Sequence, residues 1–177
     1  MPRIPFEELP DDARAWVFGA SESISTDSGK ALLSAVDGWL EEWTAHGEPL
    51  VCARDWREGR FLVIGVDQRT AGASGCSIDS LFRVLKGLET TLGNTLLGSD
   101  RIFYRAGAEA ILTTDRRSFT ALAAKGLVDE STIVFDTAVT DAGAYRNGFE
   151  KPAGSSWHRE LLRPASGQGA PPQTHHR

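Results

Sequence analysis

Apolar and polar positions along the chain switch repeatedly between strand-like runs and helical spacing. WVFGA (Trp16 to Ala20) is a short apolar run of the kind that forms a buried strand. Polar SESISTDS follows with several candidate caps, and Leu32, Leu33, Val36, Trp39, Leu40 and Trp43 then recur at helical intervals. Asp37, Glu41 and Glu42 take the opposite face, so the pattern predicts a helix from about Thr26 to Ala45, ended by His46-Gly47. PLVCA (Pro49 to Ala53) and FLVIGVD (Phe61 to Asp67) read as strands, with Arg57-Glu58-Gly59 turning between them. A second helix carries Ile78, Leu81, Phe82, Leu85, Leu88 and Leu92 on one face and closes at Gly93. RIFYR (Arg101 to Arg105) and EAILTT (Glu109 to Thr114) are strands around Ala106-Gly107-Ala108. A third helix, RRSFTALAAKG, is capped by Asp115 and stops at Gly126, before a further strand STIVFD. From Thr137 the pattern weakens until GSSWHRELL, a short capped helical turn.

The first 105 residues thus read β-α-β-β-α-β, the order of an α+β, ferredoxin-like sandwich with two helices on one face of an antiparallel sheet. The later strands and helices are expected to extend the sheet or cover an edge. Residues 1–162 read as one domain, with 1–12, Pro-rich and acidic, as a mobile or loosely docked arm. The stretch 163–177, low in apolar residues and rich in Pro and Gly, reads as a disordered tail.

Composition narrows the function classes. At 177 residues, 41% hydrophobic and 24% charged, the chain suits a soluble domain with a sizeable core. A net charge of -5 argues against non-specific nucleic-acid binding and against a polybasic membrane patch. No apolar run reaches membrane-spanning length, no signal-peptide core opens the chain, and a cytoplasmic location is expected. Cys52 and Cys76 are too few for a disulfide framework or a four-thiolate zinc site. HExxH, CxxC, GxSxG and zinc-type spacings are missing, so neither a metal centre nor a cofactor is expected.

The stretch TAGASGCSID (Thr70 to Asp79) concentrates the chemistry. Ferredoxin-like threading would carry His46, at the end of the first helix, and Asp67, at the end of the third strand, to the rim where the second helix starts. Cys76, Ser77 and Asp79 lie at that start, and the fourth strand would bring Arg105 close. A helix N-terminus offers unpaired N–H groups and partial positive charge, which suits a small anion or a thiolate. On this reading Cys76 is the nucleophile or redox centre, His46 its base and Asp67 the orienting group. Ser74, Gly75 and Ser77 supply N–H groups for an oxyanion, with Asp79, Arg105 and His158 as further ligand-binding candidates. The plainer reading makes Ser74 or Ser77 a helix cap and Cys76 a small packed hydrophobe. His158 is read either as a second imidazole over the same rim or as an exposed neighbour of a docked Trp157. Asp115-Arg116-Arg117 reads as a solvated helix end, with phosphate binding supported by only two charges.

Four blocks carry a family resemblance: WTAHG (Trp43 to Gly47), FLVIGVDQRTAGASGCSIDS (Phe61 to Ser80), RRSFTALAAKGLVDESTIVFD (Arg116 to Asp136) and SSWH (Ser155 to His158). Together they resemble an uncharacterised bacterial family commonly labelled "ABC transporter ATPase". The label implies ATP hydrolysis driving transport. The chain carries no G-x-x-x-x-G-K-[ST] and no LSGGQ signature, so that activity is not expected of it. Two readings follow from the residues. One is a small-anion-binding or thiol-based site at TAGASGCSID, taking a small anionic metabolite. The other is a non-catalytic protein-binding or regulatory module, with a protein partner or a homo-oligomer.

Overall fold

The computed structural model describes residues 3–69 and 71–162, so the expected tail at 163–177 lies outside the described residues. The fold is α+β with three antiparallel sheets. Strand β1 (Arg14–Gly19) leads to helix α1 (Thr26–Glu41), whose N-cap Ser25 accepts from the Ser28 amide. A two-stranded hairpin follows, β2 (Thr44–Ala45) and β3 (Glu48–Pro49). Strands β4 (Cys52–Arg57) and β5 (Phe61–Val66) then form the first large sheet with β1, in the order β1-β5-β4. Helix α2 (Gly75–Leu92) packs with α1 on one face of that sheet, through Leu32, Val36, Leu40, Leu81 and Leu85.

The first helix stops earlier than its apolar spacing predicts. Trp43 keeps the spacing, and its buried indole donates to the Ser77 carbonyl at 3.0 Å, but the backbone has already left the helix. His46-Gly47, expected to end the helix, is instead the two-residue turn of the β2–β3 hairpin. Its φ values of 54° and 85° are both positive, as a tight hairpin of this hand requires.

The second sheet has the order β7-β6-β8-β9, with β6 (Arg101–Ala106), β7 (Ala110–Asp115), β8 (Ile133–Phe135) and β9 (Glu150–Pro152). Helix α3 (Arg116–Ala124) covers one side, capped by Asp115 at the Ser118 amide, and α4 (Ala142–Gly148) is capped by Asp141. Two 3-10 turns follow, Ala153–Ser155 and Trp157–Leu162, the second of them against α3. Here the structure departs from the expected strand order. β6 pairs with β7 and β8, not with β1.

Instead β6 crosses the upper ends of the first sheet. Arg101 donates to the Gly19 carbonyl, Phe103 meets Phe61 edge to face at 5.0 Å, and Arg105 reaches Glu58 beyond β4. A side chain at Gly19 would collide with the Phe103 ring, so glycine is what lets the two sheets approach. Phe61 is shared, with Phe135 at 4.8 Å and Phe149 at 5.1 Å completing the aromatic joint. The buried Arg60 guanidinium ties the same corner, donating to the carbonyls of Ala20, Ser21 and Ile111. Burial without a carboxylate partner pulls its pKa down from the ordinary arginine value.

The N-terminal segment, expected to be a mobile or loosely docked arm, is docked. Phe6 and Leu9 are buried, the Ile4 amide donates to the Cys52 carbonyl, and Arg146 donates to the carbonyls of Phe6 and Leu9. Average composition hid these two apolar anchors among prolines and acids.

Candidate functional site

The rim expected from TAGASGCSID forms only in part. The β2–β3 hairpin touches the start of α2, so the turn bearing His46 and the turn bearing Cys76 do lie at the same end of the first sheet. Both side chains are exposed, and neither makes a hydrogen bond among the described residues. Exposure of Cys76 also corrects its reading as a packed hydrophobe.

Three other polar side chains at the rim, those of Ser74, Ser77 and Asp67, are already partnered. Ser74 caps α2, accepting from the Ser77 amide at 3.2 Å, while the buried Ser77 hydroxyl donates back to the Ser74 carbonyl. Gly75 and Asp79 are exposed on the first turn. The Asp67 carboxylate orients no imidazole. It accepts three hydrogen bonds from the Arg69 guanidinium and one from the Arg69 backbone amide, and that guanidinium holds its pKa below the ordinary carboxylate value.

Two expected members lie elsewhere. Arg105 belongs to the second sheet, in a triad with Glu150 at 2.6 Å and Glu58 at 2.8 Å. Glu58 sits at the opposite end of β5 from Asp67, a strand length of roughly 20 Å away. Arg105 was misplaced because its position assumed that β6 pairs with β1. His158 neither folds over the Cys76 rim nor stands exposed. It is buried beneath Trp157, which stacks on it at 3.9 Å, and beside Phe119, with Nδ1 at 2.8 Å from the Ser156 hydroxyl. Burial pulls its pKa down to about 4, so the ring is neutral at pH 7.

A concavity of about 600 Å3 lies along the edge of β1 that faces away from β5. That volume falls within the usual range of small-molecule sites. One wall is apolar: Trp16, Phe18, Phe82 and Leu96, with Phe82 edge to face on Phe18 at 5.5 Å and still exposed. The other wall comes from Val17, Phe103 and Val139 of the core between the sheets. Among the described residues three arginines, Arg14, Arg101 and Arg116, line the groove, and no Asp or Glu does.

Those arginines are placed without ion pairs among the described residues. Arg14 lies over the Trp16 ring at 4.7 Å and Arg116 over Trp157 at 4.7 Å. Arg101 spends three of its five N–H donors on the carbonyls of Gly19 and Thr95 and the Thr95 hydroxyl, none of which compensates its charge. In a chain of net charge -5, an acid-free groove with three such cations is a local inversion of sign.

The backbone of β1 completes the site. The Ala15 amide donates outward to Thr140 at 2.9 Å, the Ala13 carbonyl accepts from Ala142, and the Gly19 carbonyl is taken by Arg101. Alternation along an antiparallel strand then turns the Val17 N–H and C=O outward as well. Between the departing 137–140 segment and Arg101, these two groups find no partner among the described residues.

The groove's far wall depends on Glu89. Its buried carboxylate accepts the amides of Leu96 and Leu97, both at 2.7 Å, and pairs with Lys86. Burial opposes its ionisation, but the two amides and the ammonium outweigh that, and its pKa stands below the ordinary value.

Sequence reasoning missed this groove because its residues are scattered from Arg14 to Trp157, and none forms a motif. The available signals were indirect: a strand that loses its expected neighbour, and Phe82 on the helix face read as core. Among the described residues no cluster of three or more His, Cys, Asp or Glu is placed to hold a metal, and no helix is long and apolar enough to cross a membrane. No protein-family model, curated protein or solved structure matches the chain.

Proposed function

We propose that the chain is a non-catalytic binding module whose ligand, an anion with an apolar body, lies in the β1 groove. The observation that carries this reading is the combination of three arginines without carboxylate partners and apolar walls in one concavity. Cations that lack an internal partner keep their attraction for a ligand, and the low-dielectric walls strengthen it. The β1-β5-β4 sheet with α1 and α2 is, on this reading, a ferredoxin-like unit whose fourth-strand position is left open as the groove. The test uses 8-anilinonaphthalene-1-sulfonate, an apolar-bodied anion. The native protein is expected to bind it with a single-site isotherm, quenching the tryptophans. Arg14→Glu/Arg116→Glu should weaken binding at least tenfold with an unchanged melting temperature. Binding indifferent to that double reversal sinks the reading.

A second reading keeps the ligand or thiol chemistry at the Cys76 rim. It is supported by the exposed thiol on the first turn of α2 and by the adjacent hairpin bearing His46. It is the weaker of the two, since Asp67 and the Ser77 amide are engaged locally.

A further inference from the structure

The groove is bounded on one side by a strand with an unfinished hydrogen-bond ladder, and a generic amphiphilic anion makes no use of that feature. We propose that its occupant is a short extended peptide segment, apolar at its centre and acidic at its flanks, that adds to the free edge of β1 as a further strand. This inference rests on the groove being a site for apolar-bodied anions and names the ligand class.

Three observations converge. The Val17 N–H and C=O point into the groove with no partner among the described residues, the pair that an added strand exchanges with one residue of its own. The open edge lies between the Ala15 amide and the Gly19 carbonyl, both already taken, over about 13 Å of strand. That length takes a core of three or four residues and no long ladder. Along this edge the side chains of an extended segment would alternate between the Trp16–Phe18–Phe82 wall and the Val17–Phe103–Val139 wall. Both walls are apolar, so the central residues of the ligand should be apolar too. Charge is provided at the ends, by Arg14 where β1 begins and by Arg101 where it finishes, with Arg116 also lining the groove.

Charge also selects among occupants. Residues 163–177 of the chain itself contain Arg163 and Arg177 and no Asp or Glu, so they repel the three arginines. A second copy offering its own β1 would bring a second Arg14 and Arg101 against the first pair. An acidic peptide from another protein meets neither objection.

The experiment uses a set of acetylated, amidated peptides, Glu-Glu-(three apolar residues)-Glu-Glu, with Val, Ile, Leu or Phe at each central position. Binding is read by displacement of 8-anilinonaphthalene-1-sulfonate and by direct fluorescence anisotropy. The best acidic peptide is expected to bind at least tenfold more tightly than its counterpart with lysines at the flanks. Backbone N-methylation supplies the decisive contrast. In an added strand, alternate amides face β1, so methylating one alternate set should cost at least tenfold and methylating the other set less than threefold.

Val17→Pro removes the strand's outward N–H, which has no partner among the described residues, and proline is tolerated at such edge positions. It should abolish peptide binding while the melting temperature holds within a few degrees. If that variant unfolds, the two methylated sets decide alone. Equal tolerance of both sets, tighter binding by a synthetic 163–177 peptide, or no displacement by any acidic peptide overturns strand addition. If the sulfonate probe still binds in an Arg14- and Arg116-dependent way, the groove reading survives that failure. If the probe also ignores the double reversal, both fall together.

Discussion

The Cys76 rim and the β1 groove make opposite use of their polar groups. At the rim, Ser74 and Ser77 bond each other, Asp67 is closed by Arg69, and Trp43 is satisfied by the Ser77 carbonyl. In the groove, Arg14 and Arg116 lie over aromatic rings, and among the described residues neither has a carboxylate partner and the Val17 N–H and C=O have none of any kind. The rim is rich in residues of catalytic type, yet its interactions stabilise a helix start and a turn. The groove has no residue of striking type, yet retains uncompensated charge and hydrogen-bonding capacity. A site is recognised by interactions left unmade, and residue type alone misdirects.

The sharpest test of that contrast concerns the two thiols. Cys52 is fully buried with its pKa pushed up to about 12, whereas Cys76 is exposed. Iodoacetamide at pH 7 should label Cys76 at least a thousandfold faster, measured by mass spectrometry of the native protein. Comparable rates would mean that the Cys52 side of the core opens readily.

The next effect lies under the groove's Trp157 wall. His158 has a folded pKa of about 4 against an ordinary 6.5, so the unfolded chain binds the extra proton more readily. Its contribution is therefore full above pH 6.5 and is lost as pH falls toward 4, on the order of 3 kcal/mol in total. Urea midpoints measured across that window should fall for the native protein. They should fall much less for His158→Gln, even though that variant starts from lower stability. Parallel slopes for the two proteins would contradict the neutral, buried imidazole.

Smaller again is the change at Glu89. Glu89→Gln keeps an acceptor for the Leu96 and Leu97 amides but loses the charge, and about 1 to 2 kcal/mol of stability should go with it. Sulfonate binding should weaken two- to fivefold as the Leu96–Leu97 wall loosens. With a folded pKa below the ordinary value, Glu89 supports the fold above about pH 4.5 and ceases to do so as pH drops through its folded pKa.

The smallest expected effect is at the rim itself. His46→Ala should change the Cys76 labelling rate less than twofold, since neither side chain makes a hydrogen bond among the described residues. A tenfold fall would show an imidazole–thiol pair and restore the rim to first place.

Local signals in the chain were reliable wherever the physics was local. Capping at Ser74 and Asp115, the left-handed stop at Gly93, and the strands at Phe61 and Arg101 follow from neighbouring residues and are found as read. The end of α1 was misjudged because Trp43 holds helical spacing for a tertiary reason, its bond to Ser77. Helix α4 and strand β9 escaped notice because they are short and owe their conformation to distant partners, Ala13 and Asp11 for one and β8 for the other.

What the sequence determined by itself was the longer helices and strands, several of their caps and the α+β class, because side-chain periodicity and backbone propensity act over a few residues. The tertiary structure alone decided which strand β1 would lack. β6 takes its hydrogen bonds from β7 and β8, and the contact of Phe103 with Gly19 and Phe61 turns it across the first sheet. No local pattern encodes that choice, since one apolar strand can satisfy its ladder at either edge. The groove, its free backbone and its arginines all follow from it.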